Sequence, residues 1–285
     1  MKVLIIGNFH HKNKEGLEMI LKHLKWGYKY GFGNVTELKH FDIIYSPSNP
    51  INTSLFPKKK FIFGPHFSVF PNNKLLYIKN KYNNSFYIQP SYWAANVWKK
   101  SKVEKYVPLK VFSFPVNTKK FKPKPENTKD KVFIYFKRRK ISELNFLKKF
   151  LKDKNIDFTV FDYVQKYNEE DYLHYLQNAK YGIVLDAHES QGFAIEEALS
   201  CDVPLLVWNV SSMSQEEGIN YPDIPATSIP YWDKRCGEYF YNQEEFKSIF
   251  DEFISKLNTY KPREFILENL SVEKCSEKFK NLIKF

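Results

Sequence analysis

The feature that most limits the fold is a rhythm of short apolar strands and amphipathic helical stretches, broken once by a proline-rich segment. Residues 2–6 read as a strand that runs into Gly7, Asn8, Phe9 and His10. A helical pattern follows over about 15–26. Strands are expected at 41–45 and 60–63, and each ends in breakers, the second in Gly64, Pro65 and His66. Parallel neighbours need a crossover, so this alternation predicts a parallel sheet. Pro115, Pro123 and Pro125 then sit among Lys, Asn and Thr, which marks a linker over 116–130. The rhythm restarts with strands at 132–136, 158–161, 182–186 and 204–208. Helical patterns lie between them, the first with Leu144, Leu147 and Leu151 on one face. The expected class is α/β, with two doubly wound, Rossmann-like domains facing a cleft, where ligands usually lie.

Composition narrows the setting. The 285-residue chain is 43% hydrophobic, which excludes a disordered chain despite a formal charge of +12. Aromatic residues reach 18%, with abundant Lys and Asn, a usage that AT-rich coding alone would produce. Cys201, Cys236 and Cys275 are odd in number and widely spaced, which predicts reduced thiols in a cytoplasmic compartment. The apolar start is too short for a signal peptide, and no 18-residue apolar run predicts a membrane span. The charge is uneven. Residues 1–124 hold 22 Lys, no Arg and five acidic groups, a formal +17, and the remainder carries −5. A basic first half suits an anionic partner as well as it suits a solubilising surface.

The chemistry concentrates in 188–204, after a strand and into a helix: His188, Glu189, Ser190, Gln191, Gly192, Phe193, Ala194, then Glu197. A helix start presents unsatisfied N–H groups and a partial positive charge, which can hold a diphosphate on Gly192, Phe193 and Ala194. Glu197, a turn further in, could accept hydrogen bonds from a ribose diol. Read by themselves, one glycine and two carboxylates more often mark a solvated loop and an exposed helix position than a site.

Glu189, Gly192, Glu197, Ala198, Cys201 and Pro204 resemble the E-x7-E segment of retaining glycosyltransferases of GT-B fold, family 4 and its relatives. Gln191 stands where Phe is usual, Glu196 adds an acid, and Asp202 replaces a Gly. The stretch 114–123 is similar to that family's interdomain signature, with Asn117 in place of Asp; 91–95 and 271–279 resemble two further segments in order.

The resemblance implies an acceptor-binding domain over 1–115, a donor domain over 131–265, and a final helix over 266–285 that crosses back to the first domain. It implies a UDP- or GDP-sugar donor, transfer with retention, and a glycan, lipid or other hydroxyl acceptor, for which an anionic one suits the charge. No cofactor is required, and no metal motif is present. Donor diphosphate contacts fall to Lys137, Arg138 and Arg139, with Lys140 as a further cation, in a run more compact than the family's Arg and Lys spacing. Tyr163 and Val164 would meet the base. Glu189, His188 and His66 are the catalytic candidates, and Gly7, Asn8 and His10 would line the cleft. The stretch 229–237 is rich in site-type residues without a defined role. Rival readings are glucosylation of nucleic-acid bases, sugar-nucleotide epimerisation, and non-catalytic glycan or membrane-surface binding.

Overall fold

The computed structural model describes residues 1–284 apart from 49–50, 55, 66–69, 73–83, 127 and 166. The chain forms two compact units, Met1–Pro115 with Leu270–Phe285, and Val116–Asn269.

The first unit carries β1 (Lys2–Ile6), α1 (His11–His23), β2 (Gly27–Gly31), α2 (Val35–Leu38), β3 (Ile43–Ser46), β4 (Lys60–Phe63), β5 (Ser85–Gln89), α3 (Tyr92–Lys100) and β6 (Leu109–Val111). Its strands form one parallel sheet in the order β2-β1-β3-β4-β5-β6. Val3, Leu4 and Ile5 are wholly buried because helices cover both faces of such a sheet, so β1 is a continuous apolar run. The last helix, α9 (Val272–Ile283), packs on α1 within this unit, and Ser271 caps it by accepting from the Lys274 amide.

The second unit carries β7 (Lys131–Lys137), α4 (Ile141–Asp153), β8 (Thr159–Asp162), α5 (Glu169–Leu176), β9 (Ala179–Asp186), α6 (Phe193–Ser200), β10 (Leu205–Trp208), β11 (Gly237–Phe240), α7 (Phe246–Ser255) and α8 (Pro262–Asn269). Its sheet is parallel in the order β11-β10-β9-β7-β8. Val132, Ile134 and Phe136 of β7 point to one face, where Leu144, Leu147 and Leu151 of α4 meet Trp208, Phe246 and Phe250. Phe133 and Tyr135 point to the other and meet Phe161, Tyr167 and Tyr172. The alternation of side chains along the strand divides them in this way. Both sheets reverse strand order beside their first strand, at β1/β3 and at β7/β9. A crevice for ligands opens at the carboxyl ends of strands at such a point.

Three expectations change. The segment 116–130 is not a tether but part of the second unit. Phe121 is buried, its carbonyl accepts from Ser200 Oγ at 2.6 Å, and Lys129 Nζ donates to the Asp202 carbonyl at 2.6 Å. The expected final helix over 266–285 is two helices divided at Leu270 and Ser271, and α8 stays with the second unit. Strands β2, β5, β6 and β11 were not foreseen; β2 is Gly27-Tyr-Lys-Tyr-Gly31, an edge strand without the apolar run of a buried one. Asp202, which stands where the resembling family has Gly, does adopt a left-handed backbone, φ 60°. Among the described residues, no helix is long and apolar enough to cross a membrane.

Arg263 ties these parts together. Its guanidinium donates to the carbonyls of Phe121 (3.1 Å), Ser200 (2.5 Å) and Thr118 (3.2 Å). Hydrogen bonds from a charged donor contribute about 1.5–3 kcal/mol, and three partly buried carbonyls lose this donor at once in Arg263→Ala, although the Phe121 carbonyl keeps Ser200 Oγ. We expect this variant to lose about 2–3 kcal/mol, read as a lower urea midpoint at unchanged slope.

Candidate functional site

The carboxyl ends of β7 and β9 meet beside the β7/β9 reversal, and the sequence candidates of the second unit gather there. Lys137 ends β7 in register with Asp186, the last residue of β9. The chain turns sharply after each strand. Arg138 takes a left-handed φ of 49°, which separates the aims of its neighbours.

Lys137 Nζ donates to Glu189 Oε1, and the ammonium lies 4.5 Å from the centre of the Tyr163 ring. Burial works against the Lys137 charge, but Asp186 and Glu189 outweigh it and hold its pKa above the ordinary lysine value. Glu189, three residues past β9, also suffers from burial. Lys137 and the neighbouring Asp186 nevertheless hold it below the usual carboxylate range.

Arg138 reaches the other way, with Nη1 2.6 Å from Glu216 Oε1. Glu216 is nearly buried, and its Oε2 lies 3.1 Å from His188 Nδ1. The Tyr221 ring stands edge-on to His188. Arg138, His188 and Glu216 therefore form a second polar group beside Lys137 and Glu189.

Arg139 is not available to a ligand in this arrangement. It is 4% exposed, and Nε and Nη2 grip Glu143 at 3.0 and 2.8 Å. Its Nη1 donates to the carbonyls of Asp186 (3.1 Å) and Trp208 (3.0 Å). Arg139 closes the ends of β9 and β10 instead. Lys140 is exposed and starts α4, its amide donating to Glu143 at 3.2 Å. A row of adjacent cations does not reveal which one turns inward, and this is why the sequence overestimates Arg139.

The loop after β9 is held from below. Ser228 Oγ donates to the carbonyls of Asp186 and Ala187, and the Glu189 amide donates to the Thr227 carbonyl at 3.0 Å. Asn209 Oδ1 in turn accepts from the Ser228 amide and from Thr227 Oγ1. Gly192 then opens α6 in a left-handed conformation, φ 90°, with no side chain capping the helix start. A Cβ there would find room, so it is the backbone angle that calls for glycine.

Phe193 and Ala194 form the first turn of α6. Glu197 is buried at 5% exposure on α6, close enough to Tyr167 and Tyr172 to act on both electrostatically. Val164 is exposed beside the site. In the first unit, Gly7, Asn8 and His10 lie on the β1–α1 loop, where Ser48 Oγ donates to the Asn8 carbonyl and the His10 and His11 rings are 4.6 Å apart. His66 lies outside the described residues. Asp186, Asn209, Glu216 and Ser228 were missed. The signal for Asp186 was an acid closing an apolar strand; the other three act across long sequence gaps.

No protein-family profile matches the chain, and no curated protein matches its sequence. Solved structures do share its fold. Sucrose-phosphate synthase from Thermosynechococcus elongatus matches with TM-score 0.62 at 10% identity, over 99% of this chain and 98% of its own. TarM matches at 0.51 and 14% identity, over 85% of this chain and 55% of its own. The structure of accessory secretory protein 1, 2 and 3 in Streptococcus pneumoniae matches at 0.51 and 11%, over 87% and 54%. The chain spans about half the length of the last two. At these identities the likeness is one of fold: α/β, with two Rossmann-like units, the GT-B class.

His188 gives the site a measurable pH signature. Burial outweighs the pull of Glu216 and Glu189 and lowers its pKa. The unfolded chain therefore binds this proton more readily than the folded one. The contribution of His188 to stability is complete above its unfolded value, about 6.5, and drains as the pH falls from there. His188→Gln should flatten that part of the stability curve in urea melts over about pH 5–8; an unaltered slope would contradict a buried neutral imidazole.

Proposed function

We propose that this chain transfers a sugar from a nucleotide-diphospho-sugar to a hydroxyl acceptor, with the second unit holding the donor. The observation that carries the reading is the Lys137–Glu189 pair at the ends of β7 and β9, beside the uncapped start of α6. Strand ends at such a reversal and a helix start opened by glycine both suit a phosphorylated ligand. The likeness in fold to a structure named as a sucrose-phosphate synthase supports the same reading.

The roles divide by chemistry. Lys137 meets the diphosphate and counters the charge that grows on it as the sugar leaves. The first-turn amides of α6, from Phe193 and Ala194, add donors that cost no side-chain entropy. Glu197 takes the ribose diol, and Tyr163 with Val164 offers a surface for the base. Glu189 and His188 are assigned to the sugar hydroxyls. Retention at the anomeric carbon and a UDP or GDP leaving group follow the E-x7-E resemblance. The Lys-rich first unit is assigned the acceptor, with His66 and the loop carrying Gly7, Asn8 and His10 as its candidates.

Calorimetry with UDP, GDP, CDP and their sugars tests this directly. Lys137→Met should weaken the nucleotide at least about tenfold, and Glu197→Ala by a similar factor, since one lost charged contact is worth about 1.4 kcal/mol or more. Glu189→Gln releases Lys137 from its internal partner. It should bind the nucleotide at least as tightly as the unaltered protein while losing transfer by about 100-fold or more. No heat and no thermal shift with any of these nucleotides would overturn the reading.

A further inference from the structure

Asp186 is wholly buried at the end of β9, in register beside Lys137. Its backbone carbonyl is fixed by Arg139 Nη1 and Ser228 Oγ. Its side chain is held differently. Among the described residues, neither carboxyl oxygen makes a well-formed hydrogen bond. The polar groups in reach are the carboxyl of Glu189 and the Ala187 amide, which favours the charged form but is outweighed by burial.

Two adjoining buried carboxyls with one ammonium beside them, paired to Glu189, cannot both be ionised at low cost. A single proton solves this. The acid that keeps it becomes a donor, and the carboxylate that lacks it gains an acceptor's hydrogen bond together with the ion pair. The surroundings decide which acid keeps it. Lys137 donates to Glu189, so the negative charge belongs there. Burial raises the Asp186 pKa well above the usual carboxylate range, Lys137 opposes this in part, and the Glu189 charge adds to it.

Among the described residues, the other titratable groups facing the pair do not supply a second cation. Tyr135 from β7 and Tyr172 from α5 are kept neutral by burial, and the Tyr172 hydroxyl donates to the Ala194 carbonyl. His188, beside Glu189, is also held toward its neutral form by burial. Glu196 of α6 is raised by burial, and Gln191 Nε2 donates to its Oε2 at 3.0 Å.

We propose that Asp186 is a positioning residue, the proton-bearing member of a one-proton carboxyl pair, which donates its O–H to Glu189 and so keeps that carboxylate charged and aimed at Lys137. Its part in transfer rests on the function proposed above; the shared proton itself does not.

Two measurements test it separately. The first is carboxyl-carbon NMR of the whole protein labelled in Asp and Glu, followed against pH. Asp186 is expected to stay protonated through neutral pH, and Glu189→Gln, which removes the neighbouring charge, should move its titration to lower pH. Asp186 already ionised at neutral pH, or unmoved in Glu189→Gln, overturns the proposal.

The second is steady-state transfer with the nucleotide sugar that binds in calorimetry. Asp186→Leu should lower kcat at least about tenfold while KM stays within about threefold, and the acid limb of the profile should move to higher pH as Glu189 loses its donor. Asp186→Asn retains an N–H donor and should recover kcat to within about threefold of the unaltered protein. Unchanged kcat and acid limb in Asp186→Leu also overturns the proposal. The NMR measurement needs no substrate, so a protein that shows the shared proton but transfers no sugar counts against the function alone.

Discussion

A buried ammonium paired with one of two adjoining carboxyls, at the carboxyl ends of the central strands β7 and β9, sets the terms for the site of the second unit. Removing Lys137, Asp186 and Glu189 from water is costly, and their attraction offsets the cost only if each is held in place. The neighbouring contacts do that holding. Arg139 closes the carbonyl ends of β9 and β10, Ser228 takes the carbonyls of Asp186 and Ala187, and Asn209 fixes Ser228. The parallel register of β7 on β9 underlies it all, since a shift of one residue would turn Lys137 to the opposite face.

Among the described residues, the first unit repeats the strand order without repeating the chemistry. Its own reversal at β1/β3 carries Gly7 with φ 88° and the aromatic stack of Phe9 on Tyr45, centroids 5.6 Å apart. Fold and site are thus separable here. The same layout of strands supports a charged, tightly held crevice in one unit and a loop of small and aromatic residues in the other.

What could be read from the sequence follows from range. The βαβ rhythm, the helix opening at Gly192 and the spacing of Glu189 from Glu197 are local patterns, and the structure has those elements where expected. Edge strand β2 was hidden because Tyr28 is partly covered and Lys29 and Tyr30 are exposed, so that it needs no apolar run. Arg139 was misjudged because its partners, Asp186 and Trp208, lie 47 and 69 residues away. Glu216 was missed for the same reason, since Arg138 meets it across 78 positions. The segment 116–130 looked like a tether because its prolines are local, whereas Ser200, Arg263 and the Asp202 carbonyl that anchor it are not.

Asp202 carries two burdens on one residue. Its left-handed backbone costs about 1 kcal/mol relative to glycine. Its Oδ1 accepts from the Arg263 amide at 3.2 Å, in the first turn of α8. The strain is local, at the end of α6, and the return on it is 61 residues away. The turn after α6 and the start of α8 are therefore energetically coupled. If α8 frays, Asp202 loses its reason to stay left-handed, and the loosening passes to the end of the helix that Gly192 begins. A glycine at 202 would remove the strain and this bond together, leaving the Arg263 guanidinium on the Ser200 carbonyl as the hold of α8 on the end of α6.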